Sequence, residues 1–364
     1  MRKGRIAAFL VILGITVGVL TVRACGTSPN STANIGKTKG KERASGAALP
    51  TSSVARPKTI ATQRGEGGSS ENGSESDNVH VVAPWGGGQG NLGRERLSEA
   101  SPSGPMSFAV DGSGRVSVLD QVNGRIVRFN EDGGVEATFP VDRPTAQDMA
   151  LASDGSIAVL DRFGGKDVAL YDRDGNNVGG LPLSGEGIDN PGVVTGVFVD
   201  GDSVYVEKEH GPLVLLGDTS GATAQTRVEI PGRPTRDGRS YISAGITDAE
   251  AGRVYVASNA RPSKEHRFTR ELRLGARIWS IVLLDTDFAG TIYFAAEIDD
   301  EGSENVVILT CLDPDTGAPT GSALLPANTL PEETFRDLVV RDGGGVVQSL
   351  RTEEGVTYQQ YDCE

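Results

Sequence analysis

Short alternating runs of apolar residues between positions 105 and 134 predict three consecutive β-strands. The runs SFAV, VSVLD and RIVRF are separated by DGSG and NG and followed by EDGG, which are typical turn sequences. The same pattern returns at 149–175, with an offset of 41 residues that places Asp161 where Asp120 stood. Antiparallel strands that repeat at this interval are typical of the blades of a β-propeller.

The second strand of this repeat can be followed along the whole domain. It recurs six times, with spacings of 41, 47, 50, 38 and 54 residues. The residues in the shared column are Val118, Val159, Val206, Val256, Phe294 and Gln348. Six units averaging about 46 residues predict an all-β fold, a six-bladed β-propeller rather than a sandwich. The fourth unit is irregular, since only 260–274 remain for its two outer strands.

The last predicted blade lacks an outer strand of its own. After the column residue Gln348 the chain has one more strand, at 356–362, and then ends. The segment VHVVAPW at 79–85 precedes the first complete blade and resembles VEATFPV, which ends that blade. We therefore expect the N-terminal strand to close the last blade, so that the ring has no cut edge. The predicted propeller domain is 79–364.

Residues 1–25 predict a signal peptide or signal anchor. Three basic residues precede an apolar or neutral run of 17 residues at 6–22, which is at the short end of what spans a bilayer. Because basic residues flank the N-terminal end of this run, we expect the part of the chain that follows it to be exported, in the periplasm or on the cell surface. Three fates remain open: an uncleaved anchor, cleavage after Ala24, or lipidation of Cys25 within LTVRAC, which resembles a bacterial lipobox except at Arg23.

Residues 26–78 predict a disordered linker that tethers the domain to the membrane. They contain no Phe, Trp or Tyr and are rich in Gly, Ser and Thr, so they cannot bury enough apolar surface to fold. Positions 1–78 carry 11 Lys and Arg against 5 Asp and Glu, whereas 79–364 carry 24 against 44. The domain's formal charge of −20 makes nucleic acid and anionic lipid poor partners, so we expect membrane contact through the N-terminal segment only.

The segment PWGGGQGNLG, followed by PSGPMSFAVDGSGRVSVLDQVNGRIVRFNEDGG, resembles the NHL-repeat propellers. Their units run from a Gly-rich connector to an apolar strand, a D-x-x-G turn and a strand ending in Asp. The resemblance is strongest over 79–175, and blade three has Glu207 and Lys208 where that Asp would stand. It implies a six-bladed propeller with one of several functions, from extracellular binding domain or interaction scaffold to metal-dependent hydrolase or lyase.

A calcium-dependent hydrolase of the lactonase type is the alternative function. The resemblance implies that such an enzyme would hold calcium in its central channel through Glu, Asn and Asp side chains from several blades. Glu207, Asn259 and Glu297 lie near equivalent strand ends and are the candidates. The three histidines of the chain are scattered and form no pattern for zinc or a hydrolytic dyad. We therefore predict no catalytic residue and no cofactor, with calcium as the alternative.

Cys311 and Cys363 are the only cysteines of the predicted domain. Both lie on predicted third strands, of the neighbouring blades five and six. In an exported domain this placement predicts a disulfide, and two buried free thiols are the alternative.

The sharpest contrast of charge lies at 253–277, where seven Lys and Arg stand against two Glu in an otherwise acidic domain. Our hypothesis is that Arg261, Lys264, His266 and Arg267 form an exposed loop that binds an anionic protein segment or polysaccharide. The alternative is that these side chains pair with acidic neighbours. The sequence as a whole predicts a membrane-tethered, extracytoplasmic binding or scaffold module.

Overall fold

The computed structural model describes residues 51–53, 79–299 and 305–363, which form six β-sheets. Within these ranges, helix is limited to two three-residue 3-10 segments, Gln121–Asn123 and Pro191–Val193, and no helix is long and apolar enough to cross a membrane. The all-β, six-bladed fold is therefore confirmed. The predicted signal segment with Cys25, and most of the predicted linker, lie outside the described residues.

Two strands precede the first complete blade, and both are used by later blades. They are β1 (Thr51–Ser53) and β2 (Val79–Pro84). Blades 1 to 3 follow as four-stranded antiparallel sheets. Their strands are β3 (Ser107–Val110), β4 (Val116–Asp120), β5 (Arg125–Phe129), β6 (Val135–Pro140), β7 (Asp148–Leu151), β8 (Ile157–Asp161), β9 (Asp167–Tyr171), β10 (Asn177–Pro182), β11 (Val194–Asp200), β12 (Ser203–Lys208), β13 (Leu213–Asp218) and β14 (Glu229–Ile230).

Blades 4 to 6 complete the ring. Blade 4 begins with β15 and blade 5 with β19, and blade 6 consists of the last three strands of the chain together with β2. The strands are β15 (Arg233–Pro234), β16 (Ser240–Asp248), β17 (Arg253–Ala260), β18 (His266–Arg273), β19 (Ile278–Thr286), β20 (Ile292–Ile298), β21 (Val306–Leu312), β22 (Pro319–Pro326), β23 (Leu338–Val340), β24 (Val346–Arg351) and β25 (Gly355–Tyr361).

The ring closes as the sequence predicts. β2 pairs antiparallel with β25 as the outer strand of blade 6, with Val81 opposite Tyr358 and Ala83 opposite Val356. Val81 and Ala83 are buried in the apolar cluster between blades 6 and 1. The N-terminal strand of the domain is thus held both by a strand ladder and by apolar burial.

Each seam between neighbouring blades is filled by one buried apolar cluster, and six such clusters surround the ring. Five of them consist mainly of aliphatic side chains from the strands of two blades. The seam between blades 3 and 4 is smaller and aromatic, with Phe198, Tyr205 and Tyr241 around Leu213 and Ile230. The inner strands of blades 1 and 2 are buried on both sides, because their side chains pack against the clusters of both seams, whereas β16 of blade 4 includes exposed positions.

The topology gives the ring two unlike faces. Turns between first and second strands, and between third and fourth, lie on one face, which we call the hairpin face. Turns between second and third strands, and the connectors between blades, lie on the other, the connector face. On the hairpin face the amide of Phe288 donates to the carbonyl of Asp342 (3.2 Å), and on the connector face Phe335 donates to Met106 (2.7 Å). Both contacts join neighbouring blades.

Blade 4 departs from the prediction in its strand order. The first strand is the two-residue β15, so the strand that contains Val256 is the third of its blade and not the second. A fifth strand, β1, pairs in parallel with the outer strand β18. Three residues of the segment predicted as a disordered linker are therefore ordered on the rim of this blade.

The predicted disulfide is confirmed. Cys311 on β21 is bonded to Cys363, two residues beyond the end of β25, and the bond links blades 5 and 6. Cys311 is buried and belongs to the apolar cluster of this seam, against which Cys363 packs. The bond ties the end of the chain to the neighbouring blade.

Removing this disulfide should destabilise the domain. The bond closes a loop of 52 residues, and chain entropy alone predicts that the variant Cys311→Ala/Cys363→Ala loses about 4 kcal/mol of unfolding free energy. Denaturant unfolding without reductant measures the loss. With strong reductant present, wild type and variant should converge. Equal stabilities without reductant would contradict the prediction.

Candidate functional site

The axis of the ring is occupied by ion pairs between side chains of different blades. Arg336, in the connector that leads into blade 6, donates to both carboxylate oxygens of Asp148 on β7 (3.0 and 2.7 Å) and to the carbonyl of Val197 on β11 (3.2 Å). Blade 6 lies opposite blade 3 in a six-membered ring, so the contact with Val197 crosses the axis, whereas the ion pair with Asp148 joins blade 6 to blade 2, which is not its neighbour. Asp148 is 1% exposed. Burial lowers the pKa of Arg336, but the Asp148 carboxylate outweighs it and raises the pKa, so the guanidinium stays charged.

Two further arginines enter the axis from the start of blade 4. Arg233 on β15 donates to the Glu207 carboxylate (3.2 and 3.0 Å) and lies 4.6 Å from the ring centre of Phe198. Arg236, in the hairpin after β15, forms ion pairs with Asp285 (2.9 Å) and Asp342 (2.5 Å) of blades 5 and 6. Three arginines and four carboxylates thus connect all blades from 2 to 6 across the axis.

The candidate calcium ligands are distributed over three blades. Glu207, on the second strand of blade 3, is paired with Arg233. Asn259 lies on the third strand of blade 4, and Glu297, on the second strand of blade 5, accepts a hydrogen bond from Asn305 (2.7 Å). Among the described residues, no group of three or more His, Cys, Asp or Glu is arranged to hold a metal ion.

The four residues predicted to bind an anionic partner lie together on the hairpin face, in the turn between β17 and β18 and at the start of β18. They are Arg261, Lys264, His266 and Arg267. Arg261 forms an ion pair with Asp200 (2.7 Å), and this contact raises its pKa. Arg267 forms one with Asp315 (2.6 Å). Both arginines are therefore paired with acidic residues of neighbouring blades.

The other two members of this basic turn are exposed. The ammonium group of Lys264 donates to the carbonyl oxygen of Glu229 (3.0 Å), and a hydrogen bond joins His266 Nε2 to the hydroxyl of Thr269 (2.9 Å). Neither contact is an ion pair. The positive charge that this turn offers to a partner is thus smaller than the sequence predicts.

The connector face carries aromatic side chains next to arginines. Both tryptophans of the chain lie there: Arg94 lies 5.0 Å from the ring centre of Trp85, and Arg277 lies 4.2 Å from that of Trp279. Arg94 is fixed in place by the buried Glu332 carboxylate (2.7 Å). Trp279 is 49% exposed.

A third pair lies on blade 2. Arg162 lies 4.9 Å from the ring centre of Phe163 and 5.2 Å from that of Phe335. It also donates to the carbonyl oxygen of Val194 (2.9 Å), which orients the guanidinium. Phe163 is 57% exposed. We refer to Trp85, Phe163 and Trp279 with their arginines as the three arginine–aromatic pairs.

The position of Phe163 is set by the aspartate that ends the preceding strand. Asp161 Oδ1 accepts hydrogen bonds from the amides of Phe163 (3.1 Å) and Gly164 (2.9 Å) and from the Thr145 hydroxyl (2.7 Å). Burial raises the pKa of the Asp161 carboxyl, but these bonds and one from Gly165 lower it overall. The strand-ending Asp161 is therefore a turn cap, which satisfies three backbone amides of the loop that carries Phe163.

Sequence reasoning missed these aromatic residues because it followed strands and charges. A local signal exists, since Phe163 and Trp279 stand within two residues of an arginine and at the edge of a strand or in a turn. Isolated aromatic residues at such positions do not extend a core pattern. They are candidates for binding.

The fold and these surfaces define a six-bladed β-propeller with an ion-paired axis and an aromatic connector face. No protein-family model and no curated protein matches the chain. Solved structures with low sequence identity resemble this chain. Hydrazine synthase from Kuenenia stuttgartiensis is 12% identical, with a TM-score of 0.46, over 71% of this chain and 78% of that one. Virginiamycin B lyase from Staphylococcus aureus is 11% identical, with a TM-score of 0.41, over 74% and 99%.

The WD40 repeats of RRP9 are 10% identical, with a TM-score of 0.46, over 78% of this chain and 100% of that one. Similarity at this level concerns the fold alone. It carries no information about a ligand or a reaction.

Proposed function

We propose that this protein is an exported, membrane-tethered propeller that binds a protein partner through its connector face. The observation that supports this most is the set of three arginine–aromatic pairs, in which Phe163 and Trp279 are about half exposed on that face. Trp and Arg are the residues that most often dominate protein–protein interfaces. A rigid aromatic ring loses little conformational entropy when a partner covers it.

The ion pairs on the axis favour binding over channel chemistry. Glu207 and Asp148 are each held by an arginine, so a substrate or cation in the channel would have to displace a charged and buried partner. The three arginine–aromatic pairs need no such displacement. The same reasoning disfavours an anionic polysaccharide at the basic turn, since two of its three Lys and Arg side chains are already paired.

The test is to remove the exposed rings. Phe163→Ala and Trp279→Ala should each weaken partner binding about 30-fold, because loss of a hot-spot side chain costs about 2 kcal/mol or more. The partner is first identified by crosslinking in membranes of producing cells, and its affinity for each purified variant is then measured by biolayer interferometry.

Phe288→Ala is the matched control. Phe288 is 58% exposed, close to Phe163 at 57%, but lies in the first turn of blade 5 on the hairpin face. It should bind the partner as wild type does. Loss of binding in this control, with binding retained in the other two variants, would move the interface to the opposite face. Salt-sensitive binding that is lost in Lys264→Ser/His266→Ser would assign it to the basic turn.

A further inference from the structure

In five of the six blades, a proline stands at the end of the outer strand or directly after it. Proline has no amide donor and so discourages pairing with another strand. β14 is only two residues long and is followed by Pro231. The other four outer strands each have proline as their last residue: β2 (Pro84), β6 (Pro140), β10 (Pro182) and β22 (Pro326).

The outer strand of blade 4 has no such protection. β18 reads HRFTRELR, eight residues without proline or glycine. It is also the one outer strand, among the residues that the structure describes, that carries an additional strand on its edge. The edge that lacks proline is therefore the edge that accepts β1.

The cover supplied by β1 is short. It pairs with the last three residues of β18, from Thr51 opposite Glu271 to Ser53 opposite Arg273. All three residues of β1 are Thr or Ser, so they bury little apolar surface. Among the described residues, no strand pairs with the outward edge of 266–270.

The charge of β18 contrasts with that of the domain. Arg267, Arg270 and Arg273 stand against Glu271 on this strand, whereas positions 79–364 have a formal charge of −20. Arg267 is paired with Asp315, and Arg270 donates to the carbonyl oxygen of Thr316 (3.0 Å), which is uncharged. Arg273 is half exposed, and its guanidinium contacts Glu271 on the same strand (3.0 Å). With three Arg and one Glu, β18 keeps a formal charge of +2, so an acidic segment would be attracted to this edge and repelled by most of the remaining surface.

We propose that the outer edge of β18 accepts an extended, acidic segment of a partner protein, which adds a strand along 266–273 and displaces Thr51–Ser53. Strand addition supplies affinity through backbone hydrogen bonds, and the arginines supply the preference for acidic side chains. A ligand that pairs with all eight residues of β18 forms a longer ladder than β1, which pairs with three. This surface is separate from the connector face.

The experiment uses the full chain and a labelled eight-residue peptide of alternating Glu and Val, followed by fluorescence anisotropy. Two control peptides replace every Glu by Lys or every Val by Pro, which removes the charge match or the amide donors. Ser52→Pro should strengthen binding of the acidic peptide three- to tenfold, because it removes a competitor that acts in cis. Ser70→Pro, elsewhere in the predicted linker, should leave it unchanged. Hydrogen exchange should show new protection at 266–270.

Three outcomes would overturn the proposal. The acidic peptide could bind no better than the two controls at millimolar concentration. The protection could fall outside β18. Ser52→Pro could produce a dimer by size-exclusion chromatography without any gain in peptide binding, in which case the edge belongs to a second copy of this chain.

Discussion

A chain that starts at Gly86 should fail to form a stable monomer, whereas a chain that starts at Ser74 should melt within a few degrees of the full-length protein. The first truncation removes β2, the outer strand of blade 6. It takes Val81 and Ala83 out of the seam with blade 1 and leaves β25 as an open edge. Burial of Val81 alone contributes about 1.5–3 kcal/mol, and an unpaired edge promotes aggregation.

The two truncations form a matched pair because both remove β1 and the predicted linker up to Gly73. Any difference between them therefore reports on β2 and its short flanks. Thermal melts followed by circular dichroism measure stability, and size-exclusion chromatography detects aggregates. Equal melting temperatures and elution volumes would show that blade 6 is complete without its N-terminal strand.

This closure could be predicted because it depends on counting strands. The last blade lacks one strand, and the N-terminal strand VHVVAP belongs to no blade near it in the sequence. The unassigned strand therefore fills the missing position. The disulfide could be predicted for a similar reason, since Cys311 and Cys363 allow only one pairing within the domain. Each inference depends only on the number of strands or cysteines and on their order along the chain.

The strand order of blade 4 could not be found in this way. Its first strand, Arg233–Pro234, is two residues long, too short to show a periodic pattern. The strand at Arg253–Ala260 reads like the second strand of other blades, and only the pairing of β15 with β16 makes it the third. Tertiary contacts decide such cases because the alternating pattern is the same for every inner strand.

The charge pattern of the sequence predicted the basic turn, but it did not predict the acidic residues that pair with its arginines. Asp200 and Asp315 stand 61 and 48 residues away from the arginines that they pair with, and only the ring brings them together. The ion pairs on the axis were not predicted for the same reason, since Arg336 and Asp148 are 188 residues apart in the sequence. Ion pairs between blades have no local signature in the sequence, whereas a capped turn such as that of Asp161 does.

Arg336→Met should lower the free energy of unfolding by about 3–5 kcal/mol, because it leaves the Asp148 carboxylate buried without a charged partner. The carboxylate would retain the hydroxyl of Ser107 (2.7 Å) and the amide of Val197 (3.0 Å), which do not neutralise it. Denaturant unfolding gives the loss. Arg239→Met is the control, since its guanidinium pairs with Asp237 from a side chain that is 53% exposed, and an exposed ion pair contributes much less stability than a buried one.

The double variant Arg336→Met/Asp148→Asn separates the effect of the unpaired charge on stability from the effect of altered packing. Replacing Asp148 as well removes the uncompensated charge, so part of the lost stability should return even though another hydrogen-bonding group has been altered. The same variant should bind the partner as wild type does, because the three arginine–aromatic pairs are unchanged. A loss of binding in a folded double variant would place the axis within the binding site, and an Arg336→Met variant no less stable than Arg239→Met would show that the axial pair is dispensable.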